Sequence, residues 1–246
     1  MLKKLYQKSE IWFAVVWIVA YCVLMSVGDG LSAMAGVEKS VTLAVAIALS
    51  VVLLLFLKNS NLMQRYGLCL PQNSAKQMLF YLPIVAMLTA NLWHGLAINY
   101  SAVESVLYVL SMLCVGFLEE VVFRGLLFES LKKDNVKVAI VVSSVTFGIG
   151  HIINLFNGSG ADLLPNVLQV VYATSAGFMF VMMYLRSKSL FVCIVAHGLF
   201  NALSAFSNNA TTPMQNVVSA LLLTAITGGY ALYLAFAVKP TQTAKA

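Results

Sequence analysis

The chain of 246 residues has little charge, because only 10% of its residues are Asp, Glu, Lys or Arg, against about 25% in an ordinary soluble domain. It also has only five prolines and four cysteines. The cysteines are scattered and form no C-x-x-C motif, so a cysteine zinc site or a redox motif is not expected. Hydrophobic residues make up 61% of the chain. This composition excludes an ordinary soluble domain and indicates a protein that crosses a membrane several times.

Long apolar runs separated by polar breaks occur along the whole chain. They lack the alternation typical of barrel strands, and lipid offers backbone groups no other partner, so each run predicts a helix. We therefore predict an all-α polytopic protein of the cell membrane, with about eight transmembrane helices in a single domain over residues 1–246. The predicted spans are 11–28, 40–57, 78–97, 105–131, 138–156, 165–185, 190–206 and 215–237.

Lysine and arginine are distributed unevenly between the predicted loops. One side carries a single cation, Lys39, beside Asp29, Glu38 and Asp162. The positive-inside rule therefore predicts that both termini are cytoplasmic, and the net charge of +6 reflects topology and attraction to anionic lipid rather than a nucleic-acid partner. Eight spans place thirteen cations on the cytoplasmic side: Lys3, Lys4, Lys8, Lys58, Arg65, Lys76, Lys132, Lys133, Lys137, Arg186, Lys188, Lys239 and Lys245.

The first apolar run has some features of a secretory signal. Basic residues precede it, and Ala33-Met34-Ala35 resembles a cleavage site. Removal of this segment would invert the charge balance of every later loop, so we favour a retained first helix.

The stretch FLEEVVFRG, residues 117–125, places three ionisable side chains inside a predicted span. A charge at mid-helix costs about 2.5 to 3.5 kcal/mol on insertion scales and marks a candidate functional group. Glu120 and Arg124 are four residues apart and are predicted to pair, whereas Glu119 points about 140 degrees away from Arg124. A purely structural ion pair would account for Glu120 and Arg124 but not for Glu119. Glu119 is therefore predicted to face a cavity as a general base, and Gly116 and Gly125 are predicted to permit close helix approach.

Two later spans carry histidines. His151 follows Phe147 by four residues, and His197 precedes Asn201 by four residues on the same helix face. Taken singly, each histidine is typical of a buried hydrogen-bonding group between helices. Together with Glu119 they form a carboxylate, two imidazoles and an amide on three helices, a set suited to activating water and stabilising an oxyanion.

The motifs E-E-x-x-x-R, F-x-x-x-H and H-x-x-x-N, in this order on successive hydrophobic helices, resemble the CAAX protease and bacteriocin-processing family of intramembrane proteases, which includes Rce1-type CAAX endopeptidases. The resemblance covers about residues 105–206. It implies an eight-helix protease whose cavity opens toward the cytosol. In that scheme Glu119 and His151 activate water and His197 and Asn201 stabilise the oxyanion, while the site is organised by Glu120, Arg124 and Phe147.

The resemblance also raises the question of a metal. Glu119, His151 and His197 could hold zinc with an open fourth position, and the family has often been called a metalloprotease. The sequence contains no H-E-x-x-H motif. We therefore expect metal-independent glutamate catalysis and no cofactor.

Several functions remain open from the sequence. The resemblance implies a membrane-tethered substrate, which could be a prenylated C-terminal peptide or a bacteriocin leader peptide. A non-catalytic membrane scaffold or bacteriocin immunity protein is the first alternative. A proton-coupled transporter would also carry charges at mid-membrane, but the sequence gives no sign of paired broken helices or repeated halves.

Overall fold

The computed structural model describes residues 2–72, 76, 81–156 and 162–238. Within these ranges the chain is helical, and the extended pairing is limited to one bridge between Leu96 and Ser207. Short 3-10 turns extend three of the helices, at Ala90–Leu92, His151–Leu155 and Ser204–Phe206. The helices are α1 (Leu2–Lys8), α2 (Glu10–Ala35), α3 (Ser40–Asn59), α4 (Tyr81–Thr89), α5 (Ala102–Lys132), α6 (Val136–Gly150), α7 (Leu163–Ser187), α8 (Phe191–Leu203) and α9 (Pro213–Phe236).

The all-α polytopic architecture is confirmed. Six helices of the described part are long and apolar enough to cross a membrane, namely α2, α3, α5, α6 with its 3-10 turn, α7 and α9. The remaining two predicted spans correspond to shorter apolar helices, Leu82–Leu92 and Phe191–Phe206. Eight apolar helices are therefore present, but the count of about eight full-length spans holds only approximately.

The predicted span 78–97 is wrong in extent, whereas the predicted span 190–206 agrees with the apolar helix Phe191–Phe206. Residues 78–80 lie outside the described residues, and the helical part of the first span ends at Leu92, shortly before Gly95, which adopts φ +96°. The second span has 13 α-helical residues before it tightens into a 3-10 turn. Hydropathy extended the first span past Leu92 because the loop that follows is also apolar.

The loops predicted to share one side of the membrane meet at one end of the bundle. Glu10 forms ion pairs with Arg65, at 2.7 Å, and with Lys133, at 2.8 Å. Arg186 donates hydrogen bonds to the carbonyls of Leu234 and Ala235, both at 2.7 Å. We call this the cation-rich end. Its assignment to the cytoplasm stays a prediction.

The opposite end holds Lys39 together with the acidic residues Asp29, Glu38 and Glu104. The Lys39 ammonium lies 2.7 Å from the Asp29 carboxylate, and the backbone N–H of Glu38 donates to the Glu104 carboxylate at 3.1 Å. Burial alone would lower the pKa of Lys39, but the charge and hydrogen bond of Asp29 raise it above the ordinary value. Lys39 is therefore a stable cation in a local ion pair. We call this the Asp29 end.

Helix α5 joins the two ends and is the longest helix, as its overlong apolar run predicts. It begins with a capping box in which the Ser101 hydroxyl accepts from the Glu104 backbone while the Glu104 carboxylate accepts from the Ser101 backbone. Residues 120–128 form a π-helix, a wide turn that is rare and frequent at functional sites. The Ser143 hydroxyl of α6 donates to the Phe123 carbonyl at 2.8 Å. This neighbouring helix therefore provides an additional partner for the backbone of the wide turn.

Glycines allow the helices around this turn to approach closely. A Cβ at Gly116 would lie 2.6 Å from the backbone of Gly198, so α5 and α8 touch through two glycines, as predicted for Gly116. A Cβ at Gly125 would meet its nearest neighbour at 3.6 Å, an ordinary contact. The predicted close approach at Gly125 is therefore wrong. A contact that the sequence did not predict joins α6 and α7, where a Cβ at Gly148 would overlap Thr174.

Candidate active site

Glu120 and Arg124 form a completely buried ion pair inside the wide turn of α5. Arg124 Nη1 lies 3.0 Å from Glu120 Oε1, and both side chains have 0% exposure. The Arg124 guanidinium also lies over the Phe147 ring, 4.0 Å from its centroid, in the geometry of a cation–π contact. The predicted pairing of Glu120 with Arg124 is therefore present, and Phe147 of α6 is brought against the same cation.

Glu119 points away from this pair, as the helical spacing predicts. Its Oε1 accepts a hydrogen bond of 2.7 Å from the Tyr21 hydroxyl of α2, and this contact is buried. Its Oε2 is also buried but has no hydrogen-bond partner within the described residues. A buried carboxylate oxygen normally has a partner, so Oε2 is the oxygen free to accept one from a molecule in the adjoining cavity.

His197 lies between the two carboxylates. Its Nδ1 is hydrogen-bonded to Glu120 Oε1 at 2.8 Å, and its Nε2 lies 3.3 Å from Glu119 Oε2. The second distance is within ion-pair range, but the atoms are not aligned as a hydrogen bond, since Oε2 has no such partner. Phe180 stacks on the His197 ring with centroids 5.2 Å apart. Both ring nitrogens therefore face carboxylates, and the orientation of the ring is fixed.

His151 and Asn201 lie on the other wall of the site. His151 is the first residue of the 3-10 turn after α6, and its ring contacts Phe147 edge to face, with centroids 5.4 Å apart. Asn201 is in the last turn of α8. With Glu119, these two side chains line a cavity of about 350 Å³.

The cavity extends from Glu119 toward the Asp29 end. Glu119 lies eleven residues after Tyr108 on α5, a rise of about 16 Å at 1.5 Å per residue, and both residues line the cavity. On α2 the lining residues Tyr21, Met25 and Asp29 recur every four residues and form one helix face. The cavity is therefore an elongated space between α2 and α5, with the candidate catalytic groups at its inner end.

Residues predicted from the sequence are thus brought together in one site: Glu119, Glu120, Arg124, Phe147, His151, His197 and Asn201. The orientation expected of His197 is the exception, because its nitrogens face Glu119 and Glu120. His197 lines a small space of about 40 Å³ next to the main cavity. Asn201 lines the main cavity itself, and His197 is not among its lining residues.

The described site does not contain the ligand cluster that the zinc hypothesis requires. Among the residues that the structure describes, no group of three or more His, Cys, Asp or Glu side chains is placed to hold a metal ion. Glu119, His151 and His197 share the site, but His197 is occupied by the two carboxylates. The residues present therefore do not fit the proposed zinc centre, and metal dependence stays open to experiment.

Sequence reasoning missed Tyr21 as a member of the site. Its hydroxyl is the hydrogen-bond donor to Glu119, yet it lies 98 positions earlier in the chain and in none of the three motifs. A polar ring in the middle of an apolar run was the only available signal, and tyrosine is common in membrane helices. Its partner could not be inferred without the packing of α2 against α5.

The fold and the site define a class of polytopic membrane protein in which a buried pair of carboxylates, two imidazoles and an amide surround an internal cavity. Residues 101–203 match the family described as type II CAAX prenyl endopeptidase Rce1-like. This match covers the motif-bearing part of the chain and agrees with the resemblance that the three motifs indicated.

A curated relative supports the same similarity. The chain is 31% identical over 125 residues to a Bacillus subtilis (strain 168) protein named "Putative membrane peptidase YdiL", which covers 47% of the chain and 46% of the relative. The chain thus spans about half the length of the curated relative that it matches. No solved structure was found to match the chain.

Proposed function

We propose that the chain is an intramembrane endopeptidase that hydrolyses a peptide bond of a membrane-tethered substrate with water activated by Glu119. One observation carries this proposal: the buried Oε2 of Glu119 has no hydrogen-bond partner in the described part of the chain and belongs to a residue that lines the same cavity as His151 and Asn201. A water molecule there would find a carboxylate acceptor, an imidazole and an amide within one space. The match to a peptidase family over residues 101–203 and the name of the curated relative support the same activity.

In the first step, Glu119 acts as the general base. A water molecule between Glu119 and His151 gives a proton to Oε2, and its oxygen forms a bond to the carbonyl carbon of the substrate. Tyr21 holds the other carboxylate oxygen and so fixes the direction in which Oε2 accepts. General acid–base catalysis of this kind contributes about 10²- to 10⁴-fold in rate.

In the second step, the tetrahedral intermediate collapses. The side-chain N–H₂ of Asn201 donates to the oxyanion, and one such donor is worth about 2.7 to 4 kcal/mol. The C–N bond then breaks, and the proton held by Glu119 passes to the leaving amine. The products are a carboxylic acid and an amine, and Glu119 returns to its starting state.

The remaining motif residues hold the catalytic groups in position for these two steps. Arg124 balances the charge of Glu120 and is held over Phe147. Glu120 fixes the ring of His197 through Nδ1, so that Nε2 lies beside Glu119. We propose that His197 orients Glu119 and stabilises its charge, and reaches an oxyanion only if the ring shifts after substrate binds.

The substrates that the family suggests are prenylated C-terminal peptides and leader peptides. Both are chains held at a membrane, which fits a site enclosed by apolar helices. The enzyme would then bind its substrate within the lipid bilayer. Nucleic acid is not expected to be a binding partner.

A pooled library of membrane-anchored and prenylated peptides, incubated with the purified protein, tests the proposal directly. The wild type is expected to produce new peptide termini, detected by mass spectrometry, and Glu119→Gln is expected to produce none. Glu129→Gln is the matched control, because Glu129 lies on the same helix and pairs with Lys132 away from the cavity. It should cleave as the wild type does.

The scaffold alternative predicts a different result. A folded wild type that cleaves nothing in the library, or Glu119→Gln that cleaves as fast as the wild type, would contradict the peptidase proposal. A monodisperse peak for each variant in size-exclusion chromatography in detergent must show that it is folded, so that lost cleavage is not caused by misfolding.

A further inference from the structure

Among the described residues, the main cavity extends to one end of the bundle. Its outer part is lined by Ser26, Asp29 and Lys39, and the Asp29 side chain is 33% exposed. The polar side chains of Asn91 and Ser204 line it as well. These residues belong to the Asp29 end, where α2 and α8 end and α3 begins. The opening is therefore polar and accessible to solvent.

Toward the cation-rich end the site is closed. Every residue from Glu120 to Phe128 is buried, and these residues occupy α5 between Glu119 and that end. Large side chains from α2, from α7 and from the loop after α3 fill the same level, with Phe13, Met183 and Tyr66 all at 0% exposure. A substrate could not pass from the cation-rich end to Glu119 without displacing this core.

The charges of the two ends assign them to opposite sides of the membrane. Thirteen of the fifteen cations belong to the segments that the eight-span order places at one end, and Lys39 alone belongs to the loops at the other. The positive-inside rule places the cation-rich end in the cytoplasm. We infer that the catalytic cavity opens on the extracytoplasmic side and that substrates reach Glu119 from there. That the molecule entering the cavity is a peptidase substrate rests on the proposed function. The side of the membrane on which the cavity opens does not depend on that function.

This inference narrows the class of substrate. The chain to be cleaved must expose its scissile bond at the outer leaflet, as a membrane-anchored peptide does after its polar part has crossed the membrane. A peptide that is anchored to the inner leaflet and remains in the cytoplasm would meet only the closed end. The cytosolic opening that the family resemblance implied is therefore incompatible with the predicted orientation of this chain.

Sided thiol labelling in intact cells tests the inference without any need for cleavage. The reporter is Ser26→Cys in a chain whose Cys22, Cys69 and Cys114 are replaced by alanine, while Cys193 is kept because it is completely buried. The matched control is Lys58→Cys in the same background, since Lys58 is exposed at the cation-rich end of α3. A membrane-impermeant maleimide is added before and after permeabilisation.

We expect Ser26→Cys to be labelled in intact cells and Lys58→Cys only after permeabilisation. Labelling of Ser26→Cys only after permeabilisation, with Lys58→Cys labelled in intact cells, would place the opening in the cytoplasm and overturn the inference. Failure of Ser26→Cys to label under either condition would show that the cavity does not open to water and would overturn it as well. Normal labelling together with no cleavage would leave the sidedness intact and count against the peptidase proposal alone.

Discussion

Replacing Tyr21 with phenylalanine removes one hydroxyl and keeps the ring in its place between α2 and α5. The lost contact is a buried hydrogen bond of 2.7 Å to Glu119 Oε1. Hydrogen bonds to charged groups contribute about 1.5 to 3 kcal/mol, and each 1.36 kcal/mol in the activation barrier changes a rate about tenfold. If this bond aims the carboxylate at water, Tyr21→Phe should lower kcat by about 10- to 100-fold, because Glu119 can then rotate away from its catalytic direction.

The assay is steady-state cleavage of the best peptide from the library, with kcat and KM measured separately. We expect kcat to fall while KM stays unchanged, since the hydroxyl supports the reacting group rather than the substrate. Tyr6→Phe is the matched control, because it removes another hydrogen-bonded tyrosine hydroxyl at the cation-rich end, far from the cavity. An unchanged kcat for Tyr21→Phe, or an equal loss in Tyr6→Phe, would refute the reasoning.

Three other perturbations follow from the packing and charges of the site. Gly116→Ala should destabilise the protein by about 1 to 3 kcal/mol through overpacking against α8, whereas Gly125→Ala, which has room for a methyl group, should melt like the wild type in detergent. Arg124→Met should lower the free energy of unfolding by about 3 to 5 kcal/mol because it leaves the buried Glu120 carboxylate without its cation. The measurement is again thermal unfolding, and an unchanged melting temperature would contradict this prediction. Zinc added to a metal-free wild type should not raise the melting temperature, since no ligand cluster was found among the described residues; a dose-dependent rise would contradict this.

Local chemistry explains which parts of the site were predictable. The pairing of Glu120 with Arg124 depends on a spacing of four residues within one helix, and the sequence contains that spacing. The divergence of Glu119 from this pair also follows from helical geometry. Phe147, His151, His197 and Asn201 were found through their motifs, because each motif places two side chains on one helix face.

Features that depend on contacts between distant segments were not predictable. The hydrogen bond from Tyr21 requires α2 to pack against α5, and the contact of His197 with both carboxylates requires α8 to approach through Gly198. The π-helix after Glu119 leaves no signature in hydropathy. It is a local change in backbone hydrogen bonding, accompanied here by the bond from Ser143 to the Phe123 carbonyl.

Hydropathy predicted the number of apolar helices in the described part of the chain but not the end of the helix Leu82–Leu92. Residues 93–98 are mostly apolar, yet they follow the end of a helix because the backbone turns at Gly95. The charge distribution predicted correctly that the described cation-bearing loops would meet at one end of the bundle. The prediction of one domain over residues 1–246 remains a prediction.

The rate of peptide cleavage in metal-free, chelator-treated buffer, compared between the wild type and Glu119→Gln, tests the central claim most directly. The account predicts that the wild type keeps its rate in chelator and that Glu119→Gln loses about 10²- to 10⁴-fold, the contribution of a general base. Loss of wild-type cleavage in chelator, restored by added zinc, would make Glu119 a metal ligand rather than the base. Equal rates for the two proteins would contradict any catalytic role for Glu119.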